Sequence, residues 1–120
     1  MRKNITDAAS LLPLMAAEFQ VLLALADQER HGYGIMEEVK QRTGGTVILG
    51  PGTLYGTIKR LVKRGLVEEG AEGRDPALSD ERRKYYRLTS IGWDLATAEA
   101  ERLAQLVDDA RAKRLIPEGA

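Results

Sequence analysis

The chain has 120 residues, 43% of them apolar and 30% charged, which is the make-up of one folded domain rather than of a disordered tail. Eighteen Lys and Arg balance eighteen Asp and Glu, so the net charge is zero and by itself points to no partner. With no cysteine and one histidine, His31, the sequence excludes disulfides, thiolate nucleophiles, cysteine-ligated metals and His-rich metal sites.

Pro13 opens a first helix predicted to run to Ala26, because a proline in the first turn lacks only an N–H that would have no partner there. Phe19, Leu22, Leu23 and Ala26 recur at helical spacing as its expected buried face. Asp27–Gln28–Glu29–Arg30 breaks the pattern. A second helix is predicted from Gly32 to Thr43, with Ile35, Met36 and Val39 inward and Glu37, Glu38 and Lys40 outward; Gly44–Gly45 stops it. Thr46–Val47–Ile48–Leu49 reads as a short strand or an extended link. After Gly50–Pro51–Gly52 a third helix is predicted over Thr53 to Arg64, with Gly65 just past its end and Leu66 supplying the hydrophobic contact that accompanies such a stop. Leu66–Val67–Glu68–Glu69 and Lys84–Tyr85–Tyr86–Arg87–Leu88 read as two strands around a polar loop, Gly70 to Arg83. A last helix is predicted from Thr89–Ser90 to about Leu115.

Charge becomes informative when read by segment. Residues 51–65 carry Lys59, Arg60, Lys63 and Arg64 and no acid, residues 66–81 carry six acids against Arg74 alone, and residues 82–87 carry Arg82, Arg83, Lys84 and Arg87. At ~100° per residue, Leu54, Ile58, Leu61 and Val62 share one arc of the third helix, and its four cations lie nearly opposite. Thr53 sits at the edge of the basic arc and Tyr55 at the boundary between the two. A basic outer face is most often simply solvated, but this one precedes a hairpin with a second basic cluster. A helix in that position suits the major groove, with base-edge readers near its N-terminus and phosphate partners around them. The arrangement is that of a winged helix-turn-helix: mainly α with a small β-hairpin (α+β), ending in a long C-terminal dimerisation helix.

The segments His31-Gly-Tyr-Gly-Ile-Met, Leu49-Gly-Pro-Gly-Thr-Leu-Tyr55, Lys59-Arg60-Leu61…Gly65-Leu66 and Arg83-Lys84-Tyr85-Tyr86-Arg87-Leu88-Thr89…Gly92 resemble the PadR-like transcriptional regulators over roughly residues 13–110. The resemblance implies a winged helix-turn-helix, a homodimer and repression of target promoters in a bacterial cell, with a single C-terminal helix as in the short-tailed branch. It carries Gly52, Thr53, Tyr55 and Lys59 onto the recognition positions that approach DNA, and Arg82, Arg83 and Lys84 onto the wing. Arg60, Lys63 and Arg64 are read as phosphate partners beside them. Two features depart from the pattern: the wing loop holds Glu72, Asp75, Asp80 and Glu81, and the single Trp, Trp93, stands in the first turn of the last helix rather than at its middle.

Along that last helix Trp93, Ala96, Ala100, Leu103, Val107 and Ala110 recur by threes and fours, the pattern of a helix-pairing seam, while Leu95 and Leu106 fall on a neighbouring face expected to pack on the domain. Residues 1–88 are thus expected to form the DNA-binding part, with about a dozen flexible residues at its start. Residues 89–120 form the dimerisation helix and tail of the same compact domain. The expected partners are a second copy, a pseudo-palindromic duplex operator and a small aromatic effector near Trp93.

Other constellations carry less. Gly50, Gly52 and Gly56 fit neither a dinucleotide fingerprint nor a P-loop, and the adjacent acid pairs are ordinary solvated carboxylates. No cofactor or metal is implied, and no catalytic residue stands out, so an enzyme is not expected. His31 is expected to be a hydrogen-bonded structural residue. The longest nearly apolar run, Val21 to Ala26, is far short of the ~20 residues that a membrane span needs, and Met1–Arg2–Lys3 leads into no secretory pattern. A cytoplasmic protein is expected. The alternative is a winged-helix module that binds a protein partner without specific DNA.

Overall fold

The computed structural model describes residues 10–70 and 84–117. In chain order the elements are α1 (Ala16–Ala26), β1 (Arg30–His31), α2 (Gly32–Arg42), α3 (Pro51–Lys63), β2 (Val67–Gly70), β3 (Tyr85–Leu88) and α4 (Ser90–Ala112). Three helices and a three-stranded antiparallel sheet surround one core, and α4 leaves it along an edge.

Helix α1 starts at Ala16, three residues after Pro13, because Glu18 turns back to accept the Met15 N–H at 2.9 Å and so fixes the first turn there. Its inward face is Glu18, Val21, Leu22, Ala24 and Leu25. Phe19 only borders the core, and Leu23 and Ala26 face out, so the expected stripe is rotated by about one residue. The rotation follows from Glu18, which occupies a core position that hydropathy would give to an apolar side chain.

Helix α2 places Ile35 and Val39 in the core, as expected, and ends where Gly44 and Gly45 adopt positive φ, with Gly45 N–H donating to Lys40 O at 2.8 Å. Residues 46–49 form an extended link and no strand; Leu49 alone of them is buried. Helix α3 begins two residues earlier than expected, with Gly50 as N-cap and Pro51 at its first position. Its end is as read from sequence: Gly65 has φ 77°, its N–H reaches Val62 O at 3.0 Å, and Leu66 N–H reaches Leu61 O at 2.9 Å.

The strand order is β1-β3-β2. Val67 pairs with Leu88 and Gly70 with Tyr85 across the hairpin, and the two-residue β1, absent from the sequence reading, pairs His31 with Tyr85 on the other side. The alternation of β3 buries Tyr86 and leaves Tyr85 half-buried. Arg82, Arg83 and nearly all of the anticipated wing loop, including its four acids, lie outside the described residues.

Helix α4 is anchored at its start. The Thr89 hydroxyl accepts the Gly92 N–H at 3.0 Å and donates to Gly65 O at 2.6 Å, while Thr89 N–H donates to Leu66 O at 3.1 Å. Gly92 is required: a Cβ there would lie 2.9 Å from the Leu66 carbonyl carbon and closer still to its oxygen. The end of α3 and the beginning of α4 are therefore locked together through backbone.

Candidate nucleic-acid interface

Helix α3 is held from behind and bare in front. Leu54, Thr57, Ile58 and Leu61 are buried, whereas Gly52, Thr53, Lys59 and Lys63 are exposed. Val62, expected in the core, is 43% exposed, because the arc facing the core is centred on Leu54, Ile58 and Leu61 and Val62 falls at its rim. At the N-terminal end, a Cβ on Gly50 or Gly52 would meet nothing within 4 Å. These glycines thus approach nothing within the described chain, and they leave the start of α3 low and open, with its first N–H groups pointing outward.

Tyr55 links the two helices of the helix-turn-helix. The tip of its side chain lies against Gly32 at the start of α2, where a Cβ would come 2.6 Å from Tyr55 Cζ and closer still to the hydroxyl oxygen. The preceding residue, His31, caps α2, with Nδ1 accepting the Gly34 N–H at 2.8 Å, and its ring meets the edge of Tyr85 at 5.1 Å. His31 is therefore the structural residue that was expected. Glycine at position 32 reads locally only as a helix start; its pairing with Tyr55 is tertiary.

The four cations of α3 divide into two pairs. Lys59 and Lys63 point outward. Arg64 Nη1 lies 3.0 Å from Glu18 Oε2, and Arg60 Nε lies 3.8 Å from the same oxygen while its Nη2 donates to Thr57 Oγ1 at 3.3 Å. Glu18 is only 2% exposed, so these arginines neutralise a buried carboxylate as well as facing solvent. In the hairpin, Arg87 reaches Glu68 at 2.9 Å and Glu29 at 3.4 Å; the hydrogen bond with Glu68, before that with Glu29, holds its guanidinium pKa above the ordinary arginine value. Arg87 is thereby tied down on the sheet.

Between α3 and the hairpin opens a groove of about 750 Å³. Tyr55, Ile58 and Val62 form one wall and Tyr86 the other, with Lys59, Lys84 and Glu69 along it. Lys84 is the member of the expected wing cluster that lies within the described residues, and it stands on the same side of the molecule as Lys59. Among the described residues no three His, Asp or Glu come together as a metal site, and no helix is long and apolar enough to cross a membrane.

On α4, Leu95 is buried and Ala96 packs against the core, but the helix then outruns the domain. Trp93 is 53% exposed, Ala100 and Val107 are exposed, and Leu103 and Ala110 are half-covered. Leu106, expected to pack on the domain, is instead 51% exposed, because among the described residues the core ends at about Glu99. The missed residue of α4 is Glu99, buried at 1%, which accepts the Leu14 N–H at 2.9 Å and pairs with Arg102. The short hydrogen bond from Arg102, reinforced by the Leu14 N–H, holds the Glu99 carboxyl below the usual glutamate range against the opposing effect of burial.

A helix pair joined at Tyr55 and Gly32, followed by a hairpin and a projecting helix, defines the class of winged helix-turn-helix regulators. Residues 21–98 match the transcriptional regulator PadR-like family, and the chain belongs to that family, one of regulators and not of enzymes. Over 90 residues it is 38% identical to an uncharacterised 37.1 kDa protein in transposon TN4556 of Streptomyces fradiae, with 75% of this chain and 24% of that protein covered. Over 76 residues it is 37% identical to protein X of Lysinibacillus sphaericus, also uncharacterised, with 60% and 63% covered. The chain thus spans about a quarter of the first relative and under two thirds of the second. In structure it is similar to a PadR family transcription regulator from hypervirulent Clostridium difficile R20291, with TM-score 0.68 at 23% identity over 82% of this chain and 97% of the other, which shows the fold.

Proposed function

We propose that the chain is a homodimeric, sequence-specific DNA-binding regulator that represses bacterial promoters from a pseudo-palindromic operator. The observation that carries this reading is α3, buried along Leu54, Ile58 and Leu61 and presenting Lys59 and Lys63 beside an open Gly52–Thr53 start. Thr53 and Tyr55 are then the candidates for base contact. Lys59, Lys63 and the run Arg82–Arg83–Lys84 are phosphate partners, and Arg60 and Arg64 contribute while bound to Glu18. Pairing two copies along α4 would bring two such helices to successive major grooves ~34 Å apart. Trp93, at the base of that helix, is where an aromatic effector would report its binding.

Selection of bound sequences from a random duplex library tests the reading. A two-fold symmetric motif with half-sites one helical turn apart is expected, with affinity falling ~10³–10⁵ between 50 and 200 mM salt if the dimer makes ~6–10 phosphate contacts. Recovery of no preferred sequence at low salt would overturn it. That result would favour the second reading, a protein-binding winged helix, to which the engagement of Arg60 and Arg64 by Glu18 lends support.

A further inference from the structure

We propose that Arg60 reads the edge of one guanine in each operator half-site, and that Thr57 and the buried Glu18 position it for that contact; the inference rests on the DNA-binding reading. The Arg60 guanidinium folds back along α3 instead of standing straight out. Its Nη2 donates to Thr57 Oγ1 at 3.3 Å, its Nε lies 3.8 Å from Glu18 Oε2, and its Nη1 stands 3.8 Å from the place that a Cβ on Gly56 would occupy. The head group is therefore carried about one turn toward the N-terminal end of α3, the end at which a helix in the major groove presents its base readers. At ~100° per residue, Gly56 falls nearly opposite the arc of Leu54, Ile58 and Leu61, at the middle of the outward face. Exposed Thr53, at i and i+7 spacing from Arg60, shares its stripe of the helix.

What holds the guanidinium does not cover it. Arg64 donates the direct hydrogen bond to Glu18 at 3.0 Å, so the carboxylate attracts Arg60 without being saturated by it, and the Arg60 side chain is 44% exposed. Thr57 and Glu18, both buried, engage the Nε and Nη2 side. The Nη1–Nη2 end carries the paired donors that match the N7 and O6 acceptors of guanine in the major groove. A base edge demands donors of fixed direction, whereas a phosphate on the surface of the duplex accepts a flexible point charge. Exposed Lys63 is of the second kind. Arg60, tethered at two points to buried groups, is of the first, and its pre-set direction saves the ordering that a free arginine would need on binding. With glycine at position 56, no side chain stands between the guanidinium and the approaching base.

The test compares selection from a random duplex library by the full chain and three variants. Arg60→Ala should lower the preference for one G·C pair in each half-site about tenfold, with the other positions and the slope of log affinity against log salt little changed. Replacing that guanine with 7-deazaguanine, which lacks the N7 acceptor, should weaken the wild type several-fold and leave Arg60→Ala unaffected. Thr57→Val, close in shape to the residue it replaces, and Glu18→Gln should each lower the preference at that same position several-fold and spare the rest. A purely structural role would weaken every position together. If Glu18→Gln fails to fold, Thr57→Val alone decides the positioning role. An unchanged motif in Arg60→Ala would overturn the base contact, and so would a uniform loss across sequences with the salt slope lowered by about one, the mark of a phosphate partner. Uniform losses in Thr57→Val and Glu18→Gln would overturn their positioning role. A wild type that selects no duplex sequence would overturn the DNA-binding reading and this inference together, whereas a selected motif indifferent to Arg60 overturns this inference alone.

Discussion

Glu18 and Glu99 hold two consecutive backbone amides: Glu99 accepts the N–H of Leu14 and Glu18 that of Met15, each at 2.9 Å, and both carboxylates are almost fully buried. Each is neutralised from a different side, Glu18 by Arg64 at the end of α3 and Glu99 by Arg102 on α4. The short segment before α1 is therefore a joint between α3 and α4, the helix that leaves the domain. Buried carboxylates are tolerated only when charge-paired and hydrogen-bonded, and both conditions are met here.

Replacing Glu99 with Gln keeps the shape of that joint and removes its charge. Hydrogen bonds to charged groups contribute about 1.5–3 kcal/mol, and the partly exposed Arg102 places this one toward the lower end. A fall of several degrees in melting temperature is expected. The pH dependence follows from the depressed Glu99 pKa. In the unfolded chain a glutamate titrates near ~4.3, so the charged form contributes in full above that pH and its contribution is lost as pH falls through the lower folded value. The stability gap between wild type and Glu99→Gln, read from urea midpoints, should be constant from pH 7 to about 5 and narrow progressively as pH falls below ~4. A gap that does not narrow at all between pH 5 and pH 3 would show that the charge of Glu99 contributes nothing to it.

Much of the fold was legible because it depends on local chemistry. The glycine stops at Gly44–Gly45 and Gly65 and the apolar arc of α3 at Leu54, Ile58 and Leu61 are set by residues within a turn or two of one another, and these stand as read. The rotated face of α1 and the missed Glu99 have one physical origin. Periodicity assigns every glutamate to solvent, so Glu18 and Glu99 were invisible, and burying Glu18 rotates α1 so that Leu23 and Ala26 face out. The partners that make burial possible are tertiary: Leu14 is 85 residues from Glu99, and Arg64 is 46 from Glu18. The same limit explains Arg60 and Arg64, which on a helical wheel look identical to Lys59 and Lys63.

That distinction between cations can be measured. Arg64→Ala leaves Glu18 buried with only the more distant Arg60 for compensation, and should cost about 1–3 kcal/mol of stability. Lys63 makes no ion pair among the described residues, and Lys63→Ala should leave the urea midpoint within about 0.5 kcal/mol. Under the DNA-binding reading, Lys63→Ala weakens binding to all duplex sequences alike and lowers the slope of log affinity against log salt by roughly one per site lost. Equal stability losses for the two variants would mean that the Arg64–Glu18 pair contributes nothing in solution.

Gly32→Ala probes the contact on which the helix-turn-helix depends. The added methyl collides with the Tyr55 ring, which must move, and with it the angle between α2 and α3. Overpacking of this kind costs about 1–3 kcal/mol. Tyr55→Phe removes the hydroxyl, the atom nearest Gly32, but keeps the ring, and should cost less stability than Gly32→Ala. If Tyr55→Phe nevertheless lowers duplex affinity or relaxes the selected motif, the hydroxyl contacts DNA in addition to its packing role; unchanged affinity confines Tyr55 to packing.

The outer half of α4 carries Leu103, Leu106, Val107 and Ala110 beyond the reach of the core, with Leu106 and Val107 both open to solvent in the single chain. In the proposed dimer, a second copy of this 23-residue helix would cover the strip with its own matching one. A charge placed there separates fold from assembly. Val107→Asp and Leu106→Asp should each give monomers in sedimentation equilibrium at concentrations where the wild type is dimeric. Because neither side chain contributes to the core of the single chain, the helical circular dichroism of residues up to Glu99 should persist. The wild type's melting temperature should rise with protein concentration and that of the aspartate variants should not, since only a folded dimer gains stability by mass action. A wild type that sediments as a monomer at micromolar concentration, with a melting temperature independent of concentration, would remove the dimer and with it the two-fold operator.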